Sequence, residues 1–262
     1  RRLVDQLLEH DIVPWLTLYH WDLPQALEDA GGWSARETAY RFAEYADTVY
    51  EALGDRVPYW TTLNEPFCSA LLGYASGEHA PGRAEPAAAV AATHHLLLAH
   101  GLAVEAIRAR DRQARVGITL NFAPIEPLDP SDPADLEAAR RIDGLQNRLF
   151  IEPVFRGRYS ADVVTDLEPY GLADHIRDGD LELISSPTDV LGVNYYLGNT
   201  VSAHPDPTPP SSDVVTPQPP GSIWVGAEHV SFRRVGRPLT GQGWEIYPEG
   251  LTQLLTWLSK EY

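Results

Sequence analysis

The sequence predicts an α/β fold in which helices cover both faces of a parallel sheet. Short apolar segments rich in β-forming residues alternate with longer segments of helical periodicity. The short segments are apolar throughout, as strands buried on both faces are. Polar residues directly follow each of them, at the edge where parallel barrels carry their chemistry. The pattern alone fits a partial (β/α)₈ barrel or an open doubly wound sheet, although no glycine-rich phosphate loop follows any strand.

Each element is predicted from its own local pattern. The first helix carries Leu3, Leu7 and Leu8 on one face, and the second begins at a capping box of Ser34 and Glu37. A proline in the first turn opens the last helix. In chain order we predict a helix at 2–10, a strand at 12–19, a helix from 34 to 53, a strand at 57–63, a loop to about 86, a helix at 87–110, a strand at 115–121, a helix from about 132 to 150, a strand at 189–196 and a helix from 248 to 262.

Residues 205–222 hold a large share of the 22 prolines. We predict an irregular surface loop there, in the connection after the fourth strand. A linker between two domains is the alternative, but too few residues follow it to form a second core. We therefore expect residues 1–262 to form a single partial barrel domain.

The composition excludes several classes of protein. Lys and Arg number 20 against 37 Asp and Glu, a formal charge of −17, which argues against nucleic acid and anionic membranes as partners. No apolar run is expected to reach the length of a membrane span. One Cys rules out an internal disulfide and favours the cytoplasm, as does the lack of an apolar leader near Arg1. The absence of Met indicates a segment of a longer protein.

Glu65 is the strongest candidate for a catalytic residue. It ends the second predicted strand, between Asn64 and Pro66, and lies close behind Tyr59 and Trp60. A carboxyl group among aromatic rings loses solvation, which favours its protonated form and suits a general acid. The triplet alone fits a capping or salt-bridging Glu equally well.

Two further residue types suggest chemistry less strongly. His94, His95 and His100 lie in one predicted helix, but no pair has the i, i+4 spacing of a metal site, and we expect none. Cys68 is close to Glu65, but without a histidine arrangement beside it we expect a buried packing residue rather than a nucleophile.

Six ordered motifs resemble glycoside hydrolase family 1, the β-glucosidase family. They occur in the family's order and cover nearly the whole chain apart from the proline-rich loop. The motifs are Tyr-His-Trp-Asp-Leu-Pro (19–24), Thr-Leu-Asn-Glu-Pro (62–66), Gly-Glu-His-Ala-Pro-Gly (77–82), Asn-Arg with Pro-Val-Phe-Arg-Gly-Arg-Tyr (147–159), Leu-Gly-Val-Asn-Tyr-Tyr (191–196) and Gly-Trp-Glu-Ile-Tyr-Pro-Glu-Gly-Leu (243–251). The resemblance implies a (β/α)₈ barrel that hydrolyses β-linked glycosides with retention.

The resemblance also implies roles for residues at matching positions. Glu65 would be the general acid/base, and Asn64 would bind the sugar 2-hydroxyl. His20 and Trp21 would contact hydroxyls of the same ring. Phe67, where the family often has Trp, would form a wall of the leaving-group site.

On the fourth predicted strand, the resemblance implies that Asn194 and Tyr196 flank the nucleophile, with the Tyr196 hydroxyl positioning that carboxylate. Without the family context, the site residues have plainer interpretations. His20 and Trp21 could be core residues, Asn64 a loop cap and Tyr196 a strand aromatic.

The family's nucleophile lies outside this sequence. In the family it is a Glu in a Thr-Glu-Asn-Gly motif on the seventh strand, and that motif does not occur here. The predicted strands resemble strands three to six of the barrel. A retaining glycosidase needs two carboxyl groups about 5–5.5 Å apart. We therefore expect the 262-residue chain alone to be inactive.

A terminal β-D-glucosidic bond, in a β-glucoside or short β-linked oligosaccharide, is the expected substrate. A 6-phospho-β-glycosidase of the same family, a catalytically silent sugar-binding barrel and a fragment without any ligand are the alternatives. No metal or organic cofactor is expected, since carboxyl groups alone carry the acid/base and covalent steps.

Overall fold

The computed structural model describes residues 1–207 and 219–262. Helices and strands alternate through most of it, as predicted. In chain order they are α1 (Arg2–Glu9), β1 (Trp15–Tyr19), α2 (Gln25–Asp29), α3 (Glu37–Leu53), β2 (Tyr59–Asn64), a π-helix (Cys68–Ser76), α4 (Pro86–Arg110), β3 (Arg115–Phe122), β4 (Ile125–Pro127), α5 (Pro133–Asp143), a second π-helix (Gly144–Arg148), α6 (Leu149–Arg156), α7 (Ala161–Leu167), α8 (Leu172–His175), α9 (Asp180–Ile184), β5 (Val190–Tyr195), β6 (Asn199–Ser202), β7 (Ser231–Arg233) and α10 (Pro248–Glu261).

The main sheet has four parallel strands in the order β1-β2-β3-β5, which is their order in the chain. A doubly wound sheet reverses its strand order at a switch point, whereas a barrel adds strands one after another. The described strands show no reversal. The sheet is therefore a barrel segment, and the carboxyl ends of β1, β2, β3 and β5 share one edge.

The longest helix, α4, forms the centre of the helical layer. Residues Ala89–Ala92 and Leu96–Ala99 are almost fully buried, and the helix contacts α3, α8, α9 and the first π-helix. By length and composition alone, the 25 residues of α4 could cross a membrane, although Thr93, His94, His95, His100 and Glu105 interrupt every apolar run within the helix. Most of the helix is buried inside the protein, as expected of a central core helix.

Two local predictions are wrong. Ser34 does not cap a helix: its hydroxyl donates to the Gly31 carbonyl within a 3₁₀ turn, and α3 begins after Arg36. The carboxylate of Glu37 instead pairs with Arg41 one turn along the helix. The loop predicted after β2 begins as a helix, because residues 66–76 continue from Pro66 into the buried π-helix.

A second, small sheet was not predicted. β4 pairs in parallel with β6, and β6 pairs in antiparallel with β7. It organises both ends of the connection in which we predicted an irregular loop at 205–222. Residues 208–218 of that loop lie outside the described residues.

Candidate active site

An irregular register at the end of β2 positions Glu65. Thr61 pairs with Gly117 and Asn64 with Thr119, so β2 uses three residues where β3 uses two. The amide of Glu65 then donates to the Thr119 carbonyl oxygen at 2.8 Å. A β-bulge of this kind redirects side chains near active sites.

The bulge brings two consecutive side chains to the same place. Neighbours along a regular strand point to opposite faces, yet Asn64 and Glu65 both contact Asn194 on β5. Glu65 has a backbone φ of 46°, in the left-handed region that residues other than glycine rarely occupy. Such conformations concentrate at functional sites, where the surrounding structure maintains them.

The Glu65 carboxylate is buried, with 3% of the residue exposed. Its Oε1 accepts hydrogen bonds from Asn194 Nδ2 at 2.5 Å and from the Tyr196 hydroxyl at 3.0 Å. Its Oε2 accepts a hydrogen bond from the Cys68 thiol at 3.2 Å. The structure therefore places Asn194 and Tyr196 on the predicted acid/base, whereas the resemblance implied contacts with a nucleophile.

The aromatic residues that we expected to desolvate Glu65 face elsewhere. Trp60 packs against Tyr50 in the helical layer and donates its indole N–H to the Val57 carbonyl at 2.9 Å. Tyr59 stacks on Trp15 at 5.0 Å. That part of the sequence argument is wrong, because the immediate partners of Glu65 are an amide, a phenol and a thiol.

His20 and Trp21 follow β1 beside Asn64. The Trp21 indole N–H donates to the Asn64 carbonyl at 2.9 Å, and His20 Nε2 lies 3.4 Å from Asn64 Nδ2. Trp21 also has a left-handed backbone, with φ at 79°. Its ring lies against His20 on one side and His79 on another, at 4.9 and 5.3 Å between centroids. The structure thus brings the carboxyl ends of β1 and β2 together, as predicted.

Phe67, also a predicted site residue, is buried in an aromatic cluster. It is 5% exposed and packs between Phe150 and Trp224, at centroid distances of 6.0 and 6.1 Å. Its ring therefore supports an aromatic cluster.

Sequence reasoning missed two neighbours of the site. Trp244 lies edge-on to Tyr196 at 5.7 Å and is 40% exposed, although we assigned no role to its motif. Cys68 was predicted to be only a packing residue. A proline at the first position of a helix is a known start signal, and reading Pro66 in this way would have placed Cys68 and Glu65 in one turn.

The donors around Glu65 remain protonated at neutral pH. Burial, and then the Glu65 charge, raise the pKa of the Tyr196 phenol to about 12. The same two causes in the same order raise the pKa of the Cys68 thiol well above its usual range. Both groups can therefore donate to the carboxylate and hold its orientation.

One cluster in the described ranges combines side chains of the metal-ligand type, namely Asp132, Asp135 and His204. His204 Nε2 lies 2.7 Å from an Asp132 oxygen. Both oxygens of buried Asp135 already accept hydrogen bonds, from Ser202, Ala203 and Asp129. These hydrogen bonds give the cluster a structural role, in which Asp135 joins α5 to the end of β6.

Comparisons with known proteins agree with this architecture. The model of the family described as glycosyl hydrolase family 1 matches residues 1–262. The chain is 43% identical over 268 residues to a bifunctional β-D-glucosidase/β-D-fucosidase of Bifidobacterium breve, covering 100% of this chain and 55% of that protein. It is 44% identical over 267 residues to the thermostable β-glucosidase B of Thermobispora bispora, covering 100% of this chain and 50% of that protein.

The fold also matches solved structures. The crystal structure of a psychrophilic β-glucosidase from Micrococcus antarcticus superposes with a TM-score of 0.95 at 57% identity, covering 100% of this chain and 56% of that one. The chain thus spans about half the length of the relatives it matches. With the family model matched from end to end, the chain belongs to glycosyl hydrolase family 1.

Proposed function

We propose that this chain carries the general acid/base half of a retaining β-glucosidase that hydrolyses terminal β-D-glucosidic bonds. The observation that supports this most directly is the buried Glu65 carboxylate, held by Asn194, Tyr196 and Cys68 at the carboxyl edge of the sheet. The names of the relatives, which are β-glucosidases, support the same reaction.

In this proposal, Glu65 exchanges a proton with the substrate. In the first step Glu65 protonates the glycosidic oxygen, and the leaving group departs as an alcohol. A second carboxylate attacks the anomeric carbon at the same time. In the second step Glu65 removes a proton from the attacking water. The fixed donors around Glu65 orient the carboxyl group for both steps.

The remaining predicted residues bind the sugar in the same proposal. Asn64 contacts the sugar 2-hydroxyl, and His20 and Trp21 contact further hydroxyls. His20 is exposed at the edge beside Asn64, which leaves its ring accessible to a ligand. The buried Phe67 ring supports the wall of the leaving-group site from behind.

A β-glucoside or short β-linked oligosaccharide is the proposed substrate. The relatives described above are named for glucosides and fucosides, which does not favour the 6-phospho-glycosidase alternative. We propose the cytoplasm as the location, since Cys68 is a free, buried thiol and the sequence contains no other cysteine.

A chimera tests the proposed function. The 262 residues of this chain replace the 56% of the Micrococcus antarcticus β-glucosidase that they match, and hydrolysis of a nitrophenyl β-glucoside is measured. We expect turnover that Glu65→Gln lowers about 10²- to 10⁴-fold, the usual contribution of general acid/base catalysis. The matched control Glu9→Gln changes an exposed carboxylate before the opposite end of β1 and should leave turnover unchanged.

Three results would contradict the proposal. A folded chimera that cleaves only the 6-phosphorylated glucoside would favour the phosphoglycosidase alternative. A chimera that binds glucoside without turning it over would favour a silent sugar-binding barrel. Equal activity of the Glu65→Gln and Glu9→Gln variants would remove Glu65 from the acid/base role.

A further inference from the structure

The sequence contains two Asp–Gly pairs, at 143–144 and at 178–179. An aspartate followed by glycine is prone to spontaneous rearrangement, because glycine has no side chain to shield its amide nitrogen. That nitrogen can attack the neighbouring side-chain carboxyl group when it is exposed and donates no hydrogen bond. The structure places the two pairs in opposite surroundings.

Asp178 and Gly179 form the corner of a tight turn directly before α9. The Asp180 amide donates to the Arg177 carbonyl at 3.1 Å, and Gly179 has φ at 84° and ψ at −11°, the values of the third residue of a type II turn. Both corner residues are exposed, and a Cβ added at Gly179 would have open space around it. Among the described residues, the Gly179 amide donates no hydrogen bond to another backbone group.

The other pair lies within a continuous helical segment. Gly144 is buried and has helical φ and ψ, both at −52°, and its amide donates to the Arg140 carbonyl one turn earlier. Both oxygens of the Asp143 carboxylate accept hydrogen bonds, from Asn147 at 2.8 Å and from Arg148 at 2.6 Å. Neither the nitrogen nor the carboxyl group of this pair is free to react.

We propose that Asp178 is a site of spontaneous isoaspartate formation, and that the rearrangement there displaces the buried carboxylate of Asp180. In the first step the Gly179 nitrogen bonds to Asp178 Cγ, and the carboxyl OH leaves as water with the proton of that nitrogen. In the second step water opens the resulting succinimide ring. Opening at Cγ restores aspartate, whereas opening at the main-chain carbonyl gives isoaspartate, in which the chain runs through Cβ and Cγ. One water is released and one is consumed, so the net change is an isomerisation.

Isoaspartate adds one carbon to the main chain between Arg177 and Asp180. These two residues hold the turn from both sides, because the Arg177 amide also donates to Asp180 Oδ2 at 2.8 Å. Asp180 is 2% exposed, and its carboxylate binds Arg36, directly before α3, and His94 of α4. The longer chain changes the spacing across the turn, so the carboxylate loses part of this set of partners. A buried charge that loses its partners destabilises the fold.

The chain itself tests the proposal without any activity. It is incubated for several weeks at neutral pH and then digested with an endoprotease that cleaves before aspartate but not before isoaspartate. We expect cleavage before residue 178 to be lost progressively and cleavage before residue 143 to be retained. Because Gly144 must first break a helical hydrogen bond, its pair should react at least about tenfold more slowly. An isoaspartyl methyltransferase should methylate the incubated chain in proportion to the cleavage lost at residue 178.

The variant Asp178→Glu keeps the negative charge, but its longer side chain would have to close a six-membered ring, which forms far more slowly. After incubation it should therefore accept no more methyl groups than before and keep its urea unfolding midpoint. In the natural chain the midpoint should fall as isoaspartate accumulates at residue 178. The matched control Asp174→Glu changes an exposed aspartate that precedes a histidine, and it should accumulate isoaspartate at the natural rate.

Three results would contradict the proposal. Unchanged cleavage before residue 178 after incubation would overturn the site. Equal rates at the two pairs would overturn the structural argument, since the reaction would then take place in the unfolded chain. Isoaspartate at residue 178 with an unchanged unfolding midpoint would overturn the displacement of Asp180. None of these outcomes depends on the proposed function.

Discussion

Two histidines buried in α4 predict an unusual loss of stability at mildly acidic pH. His100 is completely buried and His95 is 4% exposed. Burial is the main cause that lowers the pKa of His100 to about 3 and that of His95 to about 4, from an ordinary value of 6.5. His100 Nδ1 lies 2.7 Å from the Thr62 hydroxyl, and its Nε2 has no hydrogen-bond partner among the described residues.

The sign follows from proton binding. A histidine that is harder to protonate in the folded state stabilises the fold fully above pH 6.5, and this stabilisation is lost as the pH falls below 6.5 toward the folded-state pKa. At pH 5 the unfolded chain binds nearly one proton more at each of these two positions. Relative to pH 8, each of these two histidines then lowers the free energy of unfolding by about 2 kcal/mol, and the two together lower it by about 4 kcal/mol.

The assay is urea unfolding of the chain at pH 8, 6 and 5, followed by tryptophan fluorescence. The variant His100→Asn keeps a polar group near Thr62 but cannot be protonated. We expect it to reduce the loss between pH 8 and pH 5 by about 2 kcal/mol. The control His10→Asn, exposed at the end of α1, should leave the profile unchanged. An equal loss in the natural chain and in His100→Asn would refute the reasoning.

Three further predictions concern other parts of the molecule. In Gly192→Ala the added Cβ would lie 2.2 Å from the Thr119 hydroxyl oxygen, so urea unfolding should show a loss of about 1–3 kcal/mol, whereas Gly241→Ala, with open space around it, should be nearly neutral. Arg36→Ala removes the guanidinium partner of the buried Asp180 carboxylate at the start of α9, which keeps its contacts with His94 and the Arg177 amide, and should lower the free energy of unfolding by about 3–5 kcal/mol. Arg41→Ala, in exposed pairs, should change the same free energy of unfolding by less than about 0.5 kcal/mol. The isolated chain should release no nitrophenol from a nitrophenyl β-glucoside, because its sequence lacks the nucleophile motif; Glu65-dependent release would contradict that expectation.

The four strands of the main sheet could be predicted because each is a short, mainly apolar segment rich in β-forming residues. The expectation that all of them are buried on both faces holds for β2 and β3 but is wrong for β1 and β5, which are partly exposed at the edges of the described sheet. The observed bounds of the four strands lie within a few residues of the prediction, and Glu65 follows the carboxyl end of β2 as expected. The strands of the small sheet could not be predicted in the same way. β4 and β7 have three residues each, too few for a periodic signal.

Tertiary contacts explain the other failures. The Arg36 guanidinium, directly before α3, pairs with buried Asp180, a tertiary contact that the local capping pattern at Ser34 does not include. The partners of Glu65 were partly visible in the sequence, since Asn194 and Tyr196 belong to a recognised motif. Their hydrogen bonds to Glu65 depend on the bulge in β2, and no pattern in the sequence indicates that bulge.

The left-handed backbone at Glu65 is a local strain that the hydrogen bonds of its side chain offset. Glycine adopts a φ of 46° without the penalty of about 1–2 kcal/mol that an L side chain incurs there. Glu65→Gly would relieve that strain but would leave Asn194, Tyr196 and Cys68 without their acceptor, and each unsatisfied donor costs about 1–3 kcal/mol. Residue 65 is therefore a position at which glycine should destabilise the fold although the local backbone favours it.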